Sequence, residues 1–186
     1  MTRASALAAS VAVVVGAVLA GCETGGTAPE NNPPGHVPDT QAYVTFTPPL
    51  GPFTVSVPEG WARGTNGGAT VFTDNLNTVS IETRPVAVAP NTESVAVDEL
   101  PAIASSTPGY RPGMITAVRR KAGQVILISY QGSSPPNSVT HETWTDAFDR
   151  YEYWRAGNVV ILTLSGPVGA DNAKAWRTIA DSLQWR

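Results

Sequence analysis

Across residues 41–186 the apolar positions fall into short runs, and most of the runs alternate with polar positions. Tyr43–Phe46 and Phe53–Val57 repeat with period two, which predicts strands with one buried face. Ala69–Thr73 and Thr78–Glu82 predict two more, separated by the turn-favouring pair Asp74-Asn75. Met114–Arg120 and Gln124–Tyr130 flank Lys121-Ala122-Gly123, and Tyr151–Arg155 and Val159–Leu164 flank Ala156-Gly157-Asn158; both read as hairpins. Val125–Ile128 and Val159–Leu162 are apolar at every position, the pattern of strands covered on both faces. Between Thr140 and Arg155 the parity is mixed. Trp144 and Phe148 fall on even positions and Tyr151 and Tyr153 on odd ones, which predicts a bulge or break near Asp146–Asp149. Gly132–Asn137 reads as a loop and Gly64–Gly68 as a turn.

Two stretches carry helical spacing. Ala170–Gln184 places Ala173, Trp176, Ile179, Ala180 and Leu183 on one stripe, with Asp171 as the expected N-cap. Thr92–Ser105 spaces Ala96, Leu100, Ile103 and Ala104 similarly, but Pro101 interrupts it and predicts a short or kinked helix. Strands, a helix, more strands and a terminal helix, joined mostly by hairpins, give an α+β fold: an antiparallel β-sheet flanked by helices.

The first residues follow a different pattern. Arg3 precedes a 17-residue run, Ala4–Ala20, interrupted only by Ser5 and Ser10. This is the layout of an export signal. It closes on Leu19-Ala20-Gly21-Cys22, which resembles the lipobox of bacterial lipoproteins. Residues 1–21 are thus expected to be removed as a signal peptide, leaving Cys22 as an acylated N-terminus. Two or more acyl chains hold a protein stably at a membrane. Glu23–Thr40 follows, with seven Gly or Pro residues and Val37 as its lone large apolar side chain. Residues 22–40 are therefore read as an anchor and a disordered tether with a reach of roughly 20–25 Å, and His36 within it as inert. The folded domain is expected to span 41–186.

Composition narrows the function classes. The chain has 186 residues, 12 basic and 15 acidic, for a net charge of −3. Loss of Arg3 with the leader leaves 11 basic and 15 acidic side chains, net −4, so neither nucleic acid nor anionic headgroups attract it. The single cysteine excludes an internal disulfide and a cysteine zinc site, and two separated histidines argue against a metal centre. No cofactor is implied.

Candidate chemistry is sparse. Gly64-Thr-Asn-Gly-Gly68 lacks the Gly-Lys-Ser/Thr ending of a phosphate loop, and no Gly-x-Ser-x-Gly surrounds Ser133 or Ser134. A hydrolase would need His141, the domain's lone histidine, as base. Arg119-Arg120-Lys121 is the one basic cluster and reads as a solvated hairpin end, with Arg119 and Lys121 sharing a face. Trp144, Tyr151, Tyr153 and Trp154 crowd the irregular segment. Core packing is the default for such aromatics, and the alternative is a groove for a sugar, an acyl chain or a partner protein.

Three blocks carry a family resemblance: Phe53-Thr-Val-Ser-Val-Pro-Glu-Gly-Trp61, Asn75-Leu-Asn-Thr-Val-Ser-Ile81, and Leu162-Thr-Leu-Ser-Gly-Pro-Val-Gly-Ala-Asp-Asn172 with Trp176 after it. Together they resemble actinobacterial LpqN/LpqT-type lipoproteins, whose domain is PsbP-like. The resemblance covers about Pro52–Trp185 and holds no catalytic motif. It implies an α/β/α sandwich and a non-enzymatic binding or accessory role in the cell envelope, with a lipid, glycolipid or protein ligand. The resulting expectation is a monomeric lipoprotein on the outer face of the cytoplasmic membrane. The alternative is an extracytoplasmic sensor or scaffold that binds only protein partners.

Overall fold

The computed structural model describes residues 33–49, 51–74, 76–137 and 140–186. The expected signal peptide and the lipobox residues Leu19, Ala20, Gly21 and Cys22 lie outside the described residues.

Seven strands form one antiparallel sheet: β3 (Ala62–Asn66), β4 (Ala69–Asp74), β5 (Asn77–Pro85), β6 (Arg111–Arg120), β7 (Gly123–Ser133), β8 (Thr145–Arg155) and β9 (Asn158–Pro167). Their spatial order is β3-β4-β5-β9-β8-β7-β6. β9 sits at the centre, and Val159, Val160, Ile161, Leu162 and Leu164 are each at most 1% exposed there, which explains its unbroken apolar run. A second sheet of three strands joins β1 (Tyr43–Phe46), β2 (Phe53–Pro58) and β10 (Gln184–Trp185).

One face of the large sheet is covered by α3 (Ala173–Asp181) and the small sheet. Phe53, Val55 and Val57 of β2 meet Ile179, Ala180 and Leu183, together with Val160, Leu162 and Leu164 of β9. Each of the Phe, Val, Ile and Leu side chains among them contributes about 1.5–3 kcal/mol of burial. The opposite face is covered by a helical segment built from α1 (Thr92–Ser94), a π-helical turn (Val95–Glu99) and α2 (Leu100–Ser106). Asn91 caps its start by accepting from the N–H groups of Glu93 and Ser94. The wide turn closes with the Leu100 N–H donating to Val95 O, directly before Pro101, which has no N–H to continue the ladder. The interruption expected at Pro101 thus takes the form of a π turn.

Four local readings change. β8 runs without a break, and its register with both β7 and β9 is continuous through Asp146–Glu152. Both of its faces are covered, so aromatics of either parity are accommodated. Phe148 stacks on Tyr130 at 4.7 Å on the helix side, while Tyr151 and Tyr153 enter the core beneath α3. The irregularity lies instead in β6, between Pro112 and Ile115. There a Cβ on Gly113 would sit 2.2 Å from Ser129 O. Gly64–Gly68 is a turn only at Gly67 and Gly68 (φ 55° and 91°), and Ala62–Asn66 pairs with β4.

The other two changes are at chain ends. The N-cap of α3 is Asn172 rather than Asp171. Residues 33–40, read as spacer, lie on the domain: Val37 is 5% exposed and its N–H donates to Asn172 Oδ1 at 2.8 Å. Asn172 Nδ2 returns a bond to Gly35 O and another to Asn77 Oδ1, both at 2.9 Å. This side chain is spent on holding the strap, which is why it does not cap its own helix.

Candidate functional site

On β8 the even positions Arg150, Glu152 and Trp154 face the helical layer. Register places Glu152 between Ile126 of β7 and Ile161 of β9, with its side chain fully buried. Arg150 donates from Nε to Glu152 Oε1 and from Nη2 to Glu99 Oε2, each at 3.0 Å. Arg84 of β5 also donates to Glu99 Oε2. Four charged groups from two strands and the π turn thus close a network over an apolar sheet. The second oxygen of Glu152, Oε2, is sealed from solvent, and no donor among the described residues meets it.

The two carboxyl groups respond oppositely. Burial pushes Glu152 up to about 7; Arg150 opposes this and the nearby Glu99 adds to it. Burial also acts to raise Glu99, but a hydrogen bond from Glu152 and the charges of Arg84 and Arg150 outweigh it and hold Glu99 below the usual carboxylate range. Glu152 is therefore the more readily protonated of the two. A proton on Glu152 leaves a single negative charge, on Glu99, between two arginines.

Glu152 forms part of the wall of a cleft of about 280 Å³, together with Ala89, Pro90, Gln124, Ile126 and Trp154. Trp154 donates from Nε1 to Val86 O at 2.8 Å, which fixes the indole and leaves the cleft its apolar surface. A wider cleft of about 620 Å³ lies between the end of α2 and the 133–143 segment, lined by Thr107, Pro108, Pro135, Pro136 and Phe148.

The aromatics singled out by sequence do not form one groove. Tyr151 and Tyr153 are 3% and 1% exposed in the core, and Tyr153 donates its hydroxyl to Ala180 O at 2.7 Å. Trp144 precedes β8, with its N–H bonded to Ser134 Oγ at 2.9 Å. Trp154 alone of the four borders the Glu152 cleft. His141 is exposed in the 134–144 segment at φ 58°, while Ser134 commits its hydroxyl to Pro135 O and the Trp144 N–H. His36 is half-buried in the docked strap rather than solvated. Arg119 and Lys121 are exposed, but Arg120 turns inward over the Tyr151 ring at 5.2 Å, 3.8 Å from Asp181. Among the described residues no group of three or more His, Cys, Asp or Glu is placed to hold a metal.

Sequence reasoning missed the network that joins Glu152, Glu99, Arg84 and Arg150. The available signal was a carboxylate flanked by Tyr151 and Tyr153, in a strand both of whose faces carry large aromatics.

No family model matches the chain, and no curated protein sequence matches it. Solved structures do match. The solution structure of cyanobacterial PsbP (CyanoP) from Synechocystis sp. PCC 6803 aligns with a TM-score of 0.56 at 13% identity, covering 78% of this chain and 94% of that one. The chain has a PsbP-like fold. The Ran-binding protein Mog1p of Saccharomyces cerevisiae aligns with a TM-score of 0.51 at 10% identity, over 78% and 96% of the two chains. LpqN of Mycobacterium tuberculosis, described as involved in cell envelope biogenesis, aligns with a TM-score of 0.43 at 16% identity, over 82% and 89%. At these identities the likeness is one of architecture, and the α+β, antiparallel PsbP-like scaffold agrees with the strand and helix pattern of the sequence. The charged network and its cleft lie on the helix-covered side of that scaffold.

Proposed function

We propose that the protein is an exported lipoprotein, held at the outer face of the cytoplasmic membrane by an acylated Cys22, and that its PsbP-like domain is a non-catalytic binding or accessory module of the cell envelope. One observation carries the binding role: the cleft beneath Trp154. There a fixed indole, a proline and a buried carboxyl group converge, and the lining contains no serine, cysteine or histidine among the described residues. That lining suits recognition and offers no nucleophile. Mog1p, whose name describes Ran binding, is a case of a similar scaffold serving as a binding protein. The anchor rests on Leu19-Ala20-Gly21-Cys22 behind an apolar leader.

The placement of Tyr151 and Tyr153 in the core removes two walls of the expected acyl-chain groove. This favours a ligand met at the outer surface, and so a protein partner over an acyl chain. Photocrosslinking from position 89, at the mouth of the cleft, tests this in intact cells. Adducts with envelope proteins are expected, and adducts confined to cytoplasmic proteins would contradict an outward-facing module.

A further inference from the structure

We propose that the Trp154 cleft and the basic hairpin beside it dock an extended acidic segment of a protein partner, one apolar side chain of which fills the cleft. This rests on reading the domain as a binding module and names the partner chemistry that the site selects.

Register brings the charge to the cleft. On the helix-covered face Arg119 of β6 lies opposite Gln124 of β7. Ile126 lies opposite Glu152 of β8, and two residues further along each strand Gln124 and Trp154 share the wall of one cleft. Arg119, Gln124 and Trp154 thus form a row across three strands, with roughly 10 Å between the outer two backbones. Lys121 follows in the β6–β7 turn, and Arg155 ends β8 at the neighbouring turn. Arg119, Lys121 and Arg155 are all exposed, and none has an ion pair among the described residues. Glu93, the exposed acid at the start of the helical segment, is paired with none of them. Unpaired cations beside a cleft attract a partner of opposite charge.

Charge alone would mark a solvated turn, and the cleft supplies the rest of the footprint. Trp154 commits its N–H to Val86 O, so the indole is fixed and its hydrogen-bonding capacity is spent. Ala89, Pro90 and Ile126 line the cleft beside it, and at about 280 Å³ it admits one side chain rather than a large ligand. Val88, in the same loop as Ala89 and Pro90, is 76% exposed. A fixed aromatic anchor with charged residues at its rim is the layout of a protein-binding hot spot.

The strap favours an acidic protein segment over an anionic lipid surface. Gly35 lies against Pro167 and Val37 bonds Asn172, so the chain leading back toward Cys22 leaves the domain at the Pro167 end of β9. The cleft is at the other end of that strand, where Trp154 pairs with Val159. A strand of ten residues separates the two ends by about 30 Å. A domain held by its Pro167 end turns the basic hairpin and the cleft away from the membrane.

Fluorescence anisotropy with the full chain in non-ionic detergent tests the site. The probe is the rhodamine-labelled peptide Asp-Glu-Leu-Asp-Glu-amide, and the controls carry lysine at every acidic position or glycine in place of leucine. The probe is expected to bind, and more weakly as salt rises. The lysine peptide is expected not to bind, and the glycine peptide to bind about threefold more weakly or worse. Arg119→Glu and Lys121→Glu should each weaken the probe about threefold or more, while Arg177→Glu, the same charge change at an exposed position of α3, leaves it unchanged. Ala89→Phe, at an exposed position of the mouth, should reduce the leucine peptide to the level of the glycine one. No binding of the probe, equal binding of the lysine peptide, or an equal loss in Arg177→Glu would overturn the proposal. A fluorophore on Lys121→Cys in phosphatidylcholine–phosphatidylglycerol vesicles should escape quenching by spin-labelled headgroups, and strong quenching would make the occupant a lipid surface instead. Loss of the acidic preference would leave an envelope adduct from position 89 standing, so the partner chemistry and the broader binding role are separable.

Discussion

Arg150 bridges Glu152 of β8 and Glu99 of the π-helical turn, donating to each carboxyl group at 3.0 Å. This pairing makes the stability of the domain depend on pH in a definite direction. Glu152 titrates near 7 in the folded protein and in the usual carboxylate range, about 4.5, when unfolded. Between those values the native state binds the extra proton, so stability is full below about 4.5 and falls as pH rises toward about 7. The effect is on the order of 3 kcal/mol. Glu99 has the opposite sign, and its contribution is lost only below the usual carboxylate range. Asp146, raised by burial to about 6, adds a slope of the same sign as that of Glu152.

Glu152→Gln isolates the Glu152 share. Glutamine retains an acceptor for Arg150 and removes the titrating proton. Thermal melts of the two proteins at about pH 5 and about pH 8 should show the wild type losing several degrees more than the variant across that span. Parallel pH profiles would show that Glu152 does not hold the proton. Glu152→Ala should instead cost about 3–5 kcal/mol, because it leaves a cavity and a buried Arg150 deprived of one partner.

Tyr153→Phe separates a core role from a ligand role for the β8 aromatics. It removes the hydroxyl that bonds Ala180 O and leaves that buried carbonyl without its donor. A loss of about 1–3 kcal/mol is expected in denaturant unfolding, with crosslinking from position 89 unaffected. Unchanged stability with a lost crosslink would restore Tyr153 to a binding surface.

Asn172 pins the N-terminal strap through Val37 N–H and Gly35 O and also bonds Asn77. Asn172→Ala should free residues 33–40. Limited proteolysis would then cut there while the rest of the domain stays intact, and amide exchange at Val37 should accelerate by about tenfold or more. The strap remaining protected would mean that burial of Val37 and the Asp39–Lys174 ion pair hold it without Asn172.

Gly166→Ala tests the same junction from β9. A Cβ there would sit 2.4 Å from Asn77 Oδ1 and 2.9 Å from Asn172 Nδ2, so it must separate the two amides. A destabilisation of about 1–3 kcal/mol together with strap exposure is expected from unfolding and proteolysis of this variant.

The strands were legible because period two survives wherever one face is wet, as in Phe53–Pro58, whose inward residues are all buried. The continuity of β8 was hidden because both of its faces are covered, so its parity carries no contrast of apolar against polar. The strap was illegible for a different reason. Its hold on the domain is Val37, two hydrogen bonds to a side chain 135 or more residues away and the Asp39–Lys174 ion pair, and local composition registers none of that. The charged network was hidden similarly, since Arg84, Glu99 and Arg150 come together only through strand order and the π turn.

The proposed export and acylation of the chain are tested most directly at the N-terminus of the mature protein. Intact mass and N-terminal peptide analysis of the protein extracted from membranes should find residues 1–21 absent and Cys22 carrying acyl groups. A membrane-bound chain that still begins at Met1, or that begins with an unmodified Cys22, would contradict them.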